Sequence, residues 1–189
     1  MIWTLPNILT MMRIFVIPFL IAAFFIEDKI LASHIAWALF ALASITDFFD
    51  GWLARSQGLV SKIGQFLDPI ADKLMVGAVI IMVVADGSLS GLHVIPAVVI
   101  MCRELLVSGL REFLAGTQVS VPVTWMAKWK TTVQMFALAA LLWLKGTAAL
   151  WAPLGILCDW VAYGGIWLAA ALTVYTGADY LRAGLKHMV

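Results

Sequence analysis

Apolar positions dominate this chain in long runs, and polar positions gather where those runs end. A hydrocarbon core takes about 20 apolar residues of helix to cross. Six runs approach that length: Leu5 to Ile26, Ala32 to Trp52, Ile63 to Ala85, Leu92 to Leu114, Thr131 to Leu144 extended outward to about Thr147, and Ile156 to Leu181. None alternates with a period of two, and backbone polar groups in lipid must be satisfied within a helix or a closed barrel. The pattern therefore predicts an all-α polytopic membrane protein with six transmembrane helices, built as a single integral membrane domain over residues 1–189.

Between the runs lie EDK (27–29), RSQGLVSK (55–62), DGSLSG (86–91), GTQVSVPVT (116–124) and KGTAALWAP (145–153), segments with the Gly, Ser, Thr or Pro content of turns. Connections this short predict spans packed as sequential neighbours. Composition agrees: 63% of residues are hydrophobic and 12% charged, and the mean hydropathy is +1.01, which excludes an ordinary soluble domain. The net charge of +1 says little, but the placement of charge sets an orientation. With the N-terminus in the cytoplasm, Arg55, Lys62, Arg111, Lys128, Lys130, Arg182 and Lys186 all fall inside, as the positive-inside rule requires. Both termini are then cytoplasmic. Trp3, Trp125, Trp129 and Trp151 fall at span boundaries, where amphipathic rings anchor. Cys102 and Cys158 lie within predicted spans and read as buried small hydrophobes rather than a disulfide pair. The first run lacks a basic leader and a cleavage site, so it is expected to be retained.

The stretch from Ser44 to Leu74 departs from this apolar pattern. It holds Asp47, Asp50, Asp68 and Asp72, although a charge within a span costs about 3 kcal/mol on insertion scales. Asp47 and Asp50 are three apart and Asp68 and Asp72 four apart, so each pair occupies one helical face. Gly64 lies one turn before Asp68 on the same face, leaving room for a ligand or a neighbouring helix. The turn between the two runs lets their ends fold back antiparallel and bring the pairs together. Carboxylates gathered at low dielectric repel one another and take up protons unless a cation neutralises them. Mg²⁺ and Mn²⁺ choose such oxygen ligands, and Mg²⁺ commonly completes its shell with phosphate, so a metal-phosphate site fits, with room for two bridged ions. Two other readings fit the same residues: ion pairs with Arg55, Lys62 and Lys73, or a cation path.

Asp47, Asp50, Gly51, Ala54, Arg55, Gly64, Asp68 and Asp72 fit the pattern DxxDGxxAR, eight residues, GxxxDxxxD. In this the chain resembles the CDP-alcohol phosphotransferase family. The resemblance implies a six-helix membrane enzyme with its active site near the cytoplasmic surface, in which a CDP-linked lipid gives its phosphatidyl group to an alcohol and CMP leaves. By position, Asp47, Asp50 and Asp68 resemble the metal ligands. Asp72 resembles the general base, at the same metal site. Gly51, Ala54 and Gly64 resemble the small residues that admit the nucleotide, and Arg55 a phosphate or nucleotide contact. The implied cofactors are Mg²⁺ or Mn²⁺, two ions. The implied assembly is a homodimer in a bacterial inner membrane, with no nucleic-acid partner.

That motif leaves the acceptor open, and a phosphorylated acceptor needs further cations. Candidates are Arg103 and Arg111, eight apart near one face, and Lys128 and Lys130 at the inner mouth of the fifth run. For Lys128, Lys130 and Arg111 ordinary positive-inside anchoring is the alternative, while Arg103, near mid-span, could pair with Glu104 or with a carboxylate of the metal site. These segments and the opening LPNILTMMRIFVIPF are similar to the bacterial phosphatidylglycerophosphate synthase branch of the family. The similarity implies CDP-diacylglycerol as donor and sn-glycerol 3-phosphate as acceptor, with inositol phosphate or phosphatidylglycerol as other possible acceptors. The polar residues of that opening, Asn7, Thr10 and Arg13, suit either a segment lying along the inner membrane surface or a first span with a snorkelling Arg13. His34, His93 and His187 fall in different segments without ligand spacing.

Overall fold

The structure, a computed structural model, describes residues 4–57, 61–116, 125–148 and 152–185. In those residues six α-helices follow one another: α1 (Leu5–Ala23), α2 (Lys29–Gln57), α3 (Lys62–Ala85), α4 (Val94–Gly116), α5 (Trp125–Ala148) and α6 (Ala152–Leu185). A 3-10 turn, Gly91–His93, leads into α4. Each apolar run lies in one of these helices, and no strand occurs among the described residues.

Local chemistry sets the helix starts. Thr4 is extended and Pro6 follows in the first turn of α1, where its missing amide costs nothing. Asp28 Oδ1 accepts from the amides of Ile30 and Leu31 at 2.9 and 3.1 Å, capping α2. Ser61 Oγ accepts from the Gly64 amide at 2.9 Å and caps α3. The turn after α3 relies on Gly87 and Gly91 at φ of 76° and 57°, left-handed conformations that glycine tolerates.

Three helices extend past the apolar runs on the predicted inner side. α2 continues from Trp52 through Gln57, α5 begins at Trp125 rather than Thr131, and α6 continues to Leu185. The added turns carry Ala54, Arg55, Gln57, Lys128 and Lys130, which a hydropathy scan rejects but a helix accepts.

Packing follows chain order only in part. The most extensive contacts are α5 with α6 and α1 with α2, followed by α4 with α6, α2 with α5, and α1 with α3. Among the described residues the backbones of α2 and α3 do not approach closely, and α1 packs against both. The sequence pattern anticipates that the ends of α2 and α3 bring their aspartates together, and Asp47 and Asp72 do meet, through Arg13 of α1. The shared core includes Leu20, Phe40, Met75, Ile100, Leu138 and Ile166, so all six helices contribute to one buried cluster.

Outside that core the surface stays apolar: Phe15, Phe25, Phe136 and Trp160 are each more than two-thirds exposed. Such a surface suits lipid rather than water. Three stretches, Lys29–Asp47, Gly91–Leu114 and Ile156–Leu185, are long and apolar enough to cross a membrane. A shorter apolar stretch, Asn7–Ala23, follows the same pattern. α3 falls short because Asp68, Asp72 and Lys73 occupy its first half, leaving Leu74 to Ala85 uncharged, a length of about 18 Å. Trp125 and Trp129 are exposed and stack edge-on at 5.5 Å, as boundary anchors would. Both cysteines are free thiols, but Cys102 is exposed on α4 and Cys158 half-buried, so neither is the buried small hydrophobe that the sequence suggests.

Candidate active site

The site is organised from α1. Asn7, Thr10 and Arg13 recur every three residues and all three are buried, at 2%, 1% and 1% exposure. Each reaches a different part of the acidic region. Arg13 Nη1 lies 2.6 Å from Asp47 Oδ1 on α2 and 3.0 Å from Asp72 Oδ1 on α3. Thr10 Oγ1 donates to Asp68 Oδ1 at 2.5 Å. Ser61 Oγ donates to Asn7 Oδ1 at 2.7 Å while accepting from the Gly64 amide. One face of α1 thus ties together three carboxylates and the cap of α3.

Arg13 does not snorkel, because its side chain is wholly buried. The Asp47 and Asp72 side chains are 40% and 48% exposed. The guanidinium therefore lies on the protein side of the carboxylates. Desolvating a guanidinium costs several kcal/mol, and its two carboxylates repay this only by holding close geometry. Of the cations that the ion-pair reading named, Lys73 donates to the carbonyl of Pro69 at 3.0 Å.

The glycine also has a concrete neighbour. A Cβ on Gly64 would meet Asn7 Oδ1 at 2.7 Å and Ser61 Oγ at 3.2 Å. Its bare face makes room for α1, the second of the two uses the sequence allowed. Asp50, Gly51, Ala54 and Arg55 fall on the last turns of α2, and their side chains lie outside the described residues, as does that of Lys62.

A second polar cluster joins α4, α5 and α6. Glu104 Oε1 accepts from Lys130 Nζ and lies 3.6 Å from Arg103 Nη1. Arg103 Nη2 donates to Thr176 Oγ1 at 3.0 Å, and its guanidinium carbon stands 5.8 Å from the centre of the Tyr180 ring. Gly177 gives this arginine space, since a Cβ there would sit 3.0 Å from Arg103 Cγ. Of the basic residues singled out in the sequence, Arg103 and Lys130 are thus brought together on one carboxylate, while Arg111 and Lys128 remain exposed. Lys73 lies within electrostatic reach of both Asp72 and Glu104, so the two clusters belong to one charged region.

Asp47, Asp68 and Asp72 offer only anionic oxygen, the donor set that hard divalent cations select. Two of them already converge on one cationic nitrogen. Among the described residues no three acidic, histidine or cysteine side chains are gathered tightly around a common point. The residues fit a hard cation by donor type and by the positive centre they share.

The sequence model of the CDP-alcohol phosphatidyltransferase family matches residues 3–175. The chain belongs to that family. Its relatives include proteins of Rickettsia felis and Rickettsia bellii that are 49% and 50% identical over 97% of this chain and 96% of their own length. A protein of Cereibacter sphaeroides is 37% identical over 98% of this chain and 97% of its own. All three are named CDP-diacylglycerol–glycerol-3-phosphate 3-phosphatidyltransferase. The DxxDGxxAR–GxxxDxxxD pattern lies on two helices of this bundle, with Asp47 on α2 and Gly64, Asp68 and Asp72 on α3. Sequence reasoning noticed Asn7, Thr10 and Arg13 without assigning them to this site. Their spacing of three was the available signal, since it puts all of them on one face of a helix.

Proposed function

We propose that this protein transfers the phosphatidyl group of CDP-diacylglycerol to sn-glycerol 3-phosphate, giving phosphatidylglycerol phosphate and CMP. The observation that carries the reading is the convergence of Asp47 and Asp72, from separate helices, on the buried Arg13, at the positions of the family motif. The names of the close relatives supply donor and acceptor.

In this mechanism Asp47, Asp50, Asp68 and Asp72 would hold two divalent ions, Mg²⁺ or Mn²⁺. Bound there, the metal supplies positive charge to the donor pyrophosphate and to the departing CMP. Asp72, half-exposed beside Arg13, takes the proton of the acceptor hydroxyl. That oxygen forms a bond to the lipid-side phosphorus as the bond from that phosphorus to CMP breaks. Gly51, Ala54 and Gly64 leave space along the nucleotide path, and Arg55 meets a phosphate.

Arg103 and Lys130 recognise the acceptor phosphate, with Arg111 and Lys128 at the cytoplasmic mouth. The gathering of Arg103 and Lys130 on the single carboxylate of Glu104 supports this, because two cations on one anion leave net positive charge for a phosphate. Six helices cross the membrane with both termini inside, forming one catalytic domain in a bacterial inner membrane and associating as a homodimer. The positive-inside charge pattern and the exposed apolar belt support that placement.

The test is CMP release by purified protein in detergent, with CDP-diacylglycerol and Mg²⁺ or Mn²⁺. Glycerol 3-phosphate is compared with inositol phosphate, inositol, serine and phosphatidylglycerol, and Asp72→Asn serves as control. Release with glycerol 3-phosphate alone, lost in the variant, supports the reading. Release with another alcohol keeps the chemistry and replaces the acceptor, and no release from folded protein returns the carboxylates to cation transport.

A further inference from the structure

The polar face of α1 lies outside the family's eight-residue motif, yet it makes a hydrogen bond or ion pair to each described carboxylate of that motif. Three features set it apart from ordinary helix packing. Its residues are buried polar groups in an apolar helix, which are costly unless fully engaged. They reach Asp47, Asp68 and Asp72 from one helix, and Arg13 does so from the protein side of Asp47 and Asp72. And α1 packs against both α2 and α3, so its polar face meets the acidic ends of both helices.

We infer that Thr10 and Arg13 are positioning residues for the metal site, and that Arg13 is a built-in counter-cation holding Asp47 and Asp72 in register before metal arrives. This rests on the metal reading above. Carboxylates brought together without a cation repel and drift apart, or take up protons. A divalent ion entering such a site would first have to gather its ligands. With Arg13 buried behind Asp47 and Asp72 and Thr10 fixing Asp68, the gathering is done during folding. Asn7 completes the face by locking the Ser61 cap that starts α3, which sets the axial position of Asp68 and Asp72. Partners of this kind behind metal ligands commonly govern affinity as strongly as some ligands do.

The consequence is a specific coupling between Arg13 and metal. If both neutralise the same carboxylates, removing Arg13 makes folding lean on the ion. Full-length protein in detergent is compared as wild type, Arg13→Gln, Arg13→Lys, Thr10→Val and Thr10→Ser, by thermal unfolding with chelator or with Mn²⁺, and by Mn²⁺ titration followed by electron paramagnetic resonance. Arg13→Gln should lower Tm by about 10 °C in chelator, from loss of a buried ion pair in a chain of this size. Saturating Mn²⁺ should recover most of that loss while raising wild-type Tm less, and Arg13→Lys should depend on metal less than Arg13→Gln. Thr10→Val should weaken Mn²⁺ binding about 10- to 100-fold, with Thr10→Ser restoring it.

A Tm loss in Arg13→Gln that is the same with and without Mn²⁺, together with undiminished Mn²⁺ affinity in Thr10→Val, overturns this inference alone. Should Arg13→Gln fail to fold, the Thr10 pair decides by itself. Absence of Mn²⁺ binding in wild type as well overturns the metal reading and this inference with it.

Discussion

Asp72 is the residue on which the proposed chemistry turns. It is half-exposed, bonded to a buried guanidinium, and one helical turn from Asp68. Asp72→Asn keeps the shape and the Arg13 contact but cannot take a proton. Activity should fall about 10²- to 10⁴-fold, the usual contribution of a positioned base, with the far-ultraviolet circular dichroism spectrum unchanged. A variant retaining wild-type turnover would remove Asp72 from that role. Gly64→Ala tests a different point, the close approach of α1. The new methyl would stand 2.7 Å from a buried Asn7 oxygen that Ser61 already holds, so the cap contact must break. Destabilisation of about 1–3 kcal/mol is expected in denaturant unfolding, and Asn7→Ala should offset part of it by clearing the space. At this scale the acidic motif was plain in the sequence, because carboxylates in an apolar chain have few structural uses. Arg13 was visible too, but its partners were not. Asp47 and Asp72 lie 34 and 59 positions away, and nothing local to Arg13 separates burial beneath them from snorkelling.

Among the elements, α4, α5 and α6 carry the second cluster and α1 carries the first. Lys130 and Arg103 share Glu104, so the three side chains form a unit across two helices, with Thr176 and Tyr180 of α6 closing it. Lys130→Ala should raise KM for glycerol 3-phosphate and leave KM for CDP-diacylglycerol nearly unchanged, whereas Lys128→Ala, at an exposed position, should do less. Equal effects on both substrates would assign Lys130 to structure rather than to acceptor recognition. Element existence was legible because apolar runs of spanning length leave few alternatives to helix. Element pairing was legible only for α1 with α2 and α5 with α6. Short loops suggested neighbours in sequence, but the core is chosen by which faces fit, and α1 carries a polar face suited to lie between two acidic helix ends.

For the whole molecule, the account places both polar clusters at the inner end of the bundle and the Gly87–Gly91 turn at the outer end. In a Cys102→Ser, Cys158→Ser background, a cysteine at Ser90 should react with an impermeant maleimide added outside sealed cells, and one at Lys128 only in inverted vesicles. The opposite pattern would reverse the orientation. This expected orientation rests on charge placement, on which loops hold Lys and Arg and not on how helices pack. The central claim is that the inner carboxylate site joins the acceptor's own oxygen to the lipid phosphorus. The most direct measurement uses sn-glycerol 3-phosphate carrying ¹⁸O in its C1 hydroxyl, with mass analysis of the lipid and nucleotide products. The account predicts ¹⁸O in the phosphodiester of phosphatidylglycerol phosphate and none in CMP, with no labelled lipid formed by Asp72→Asn. Label in the nucleotide product, or release of unlabelled phosphatidate in place of the phosphodiester, would contradict it.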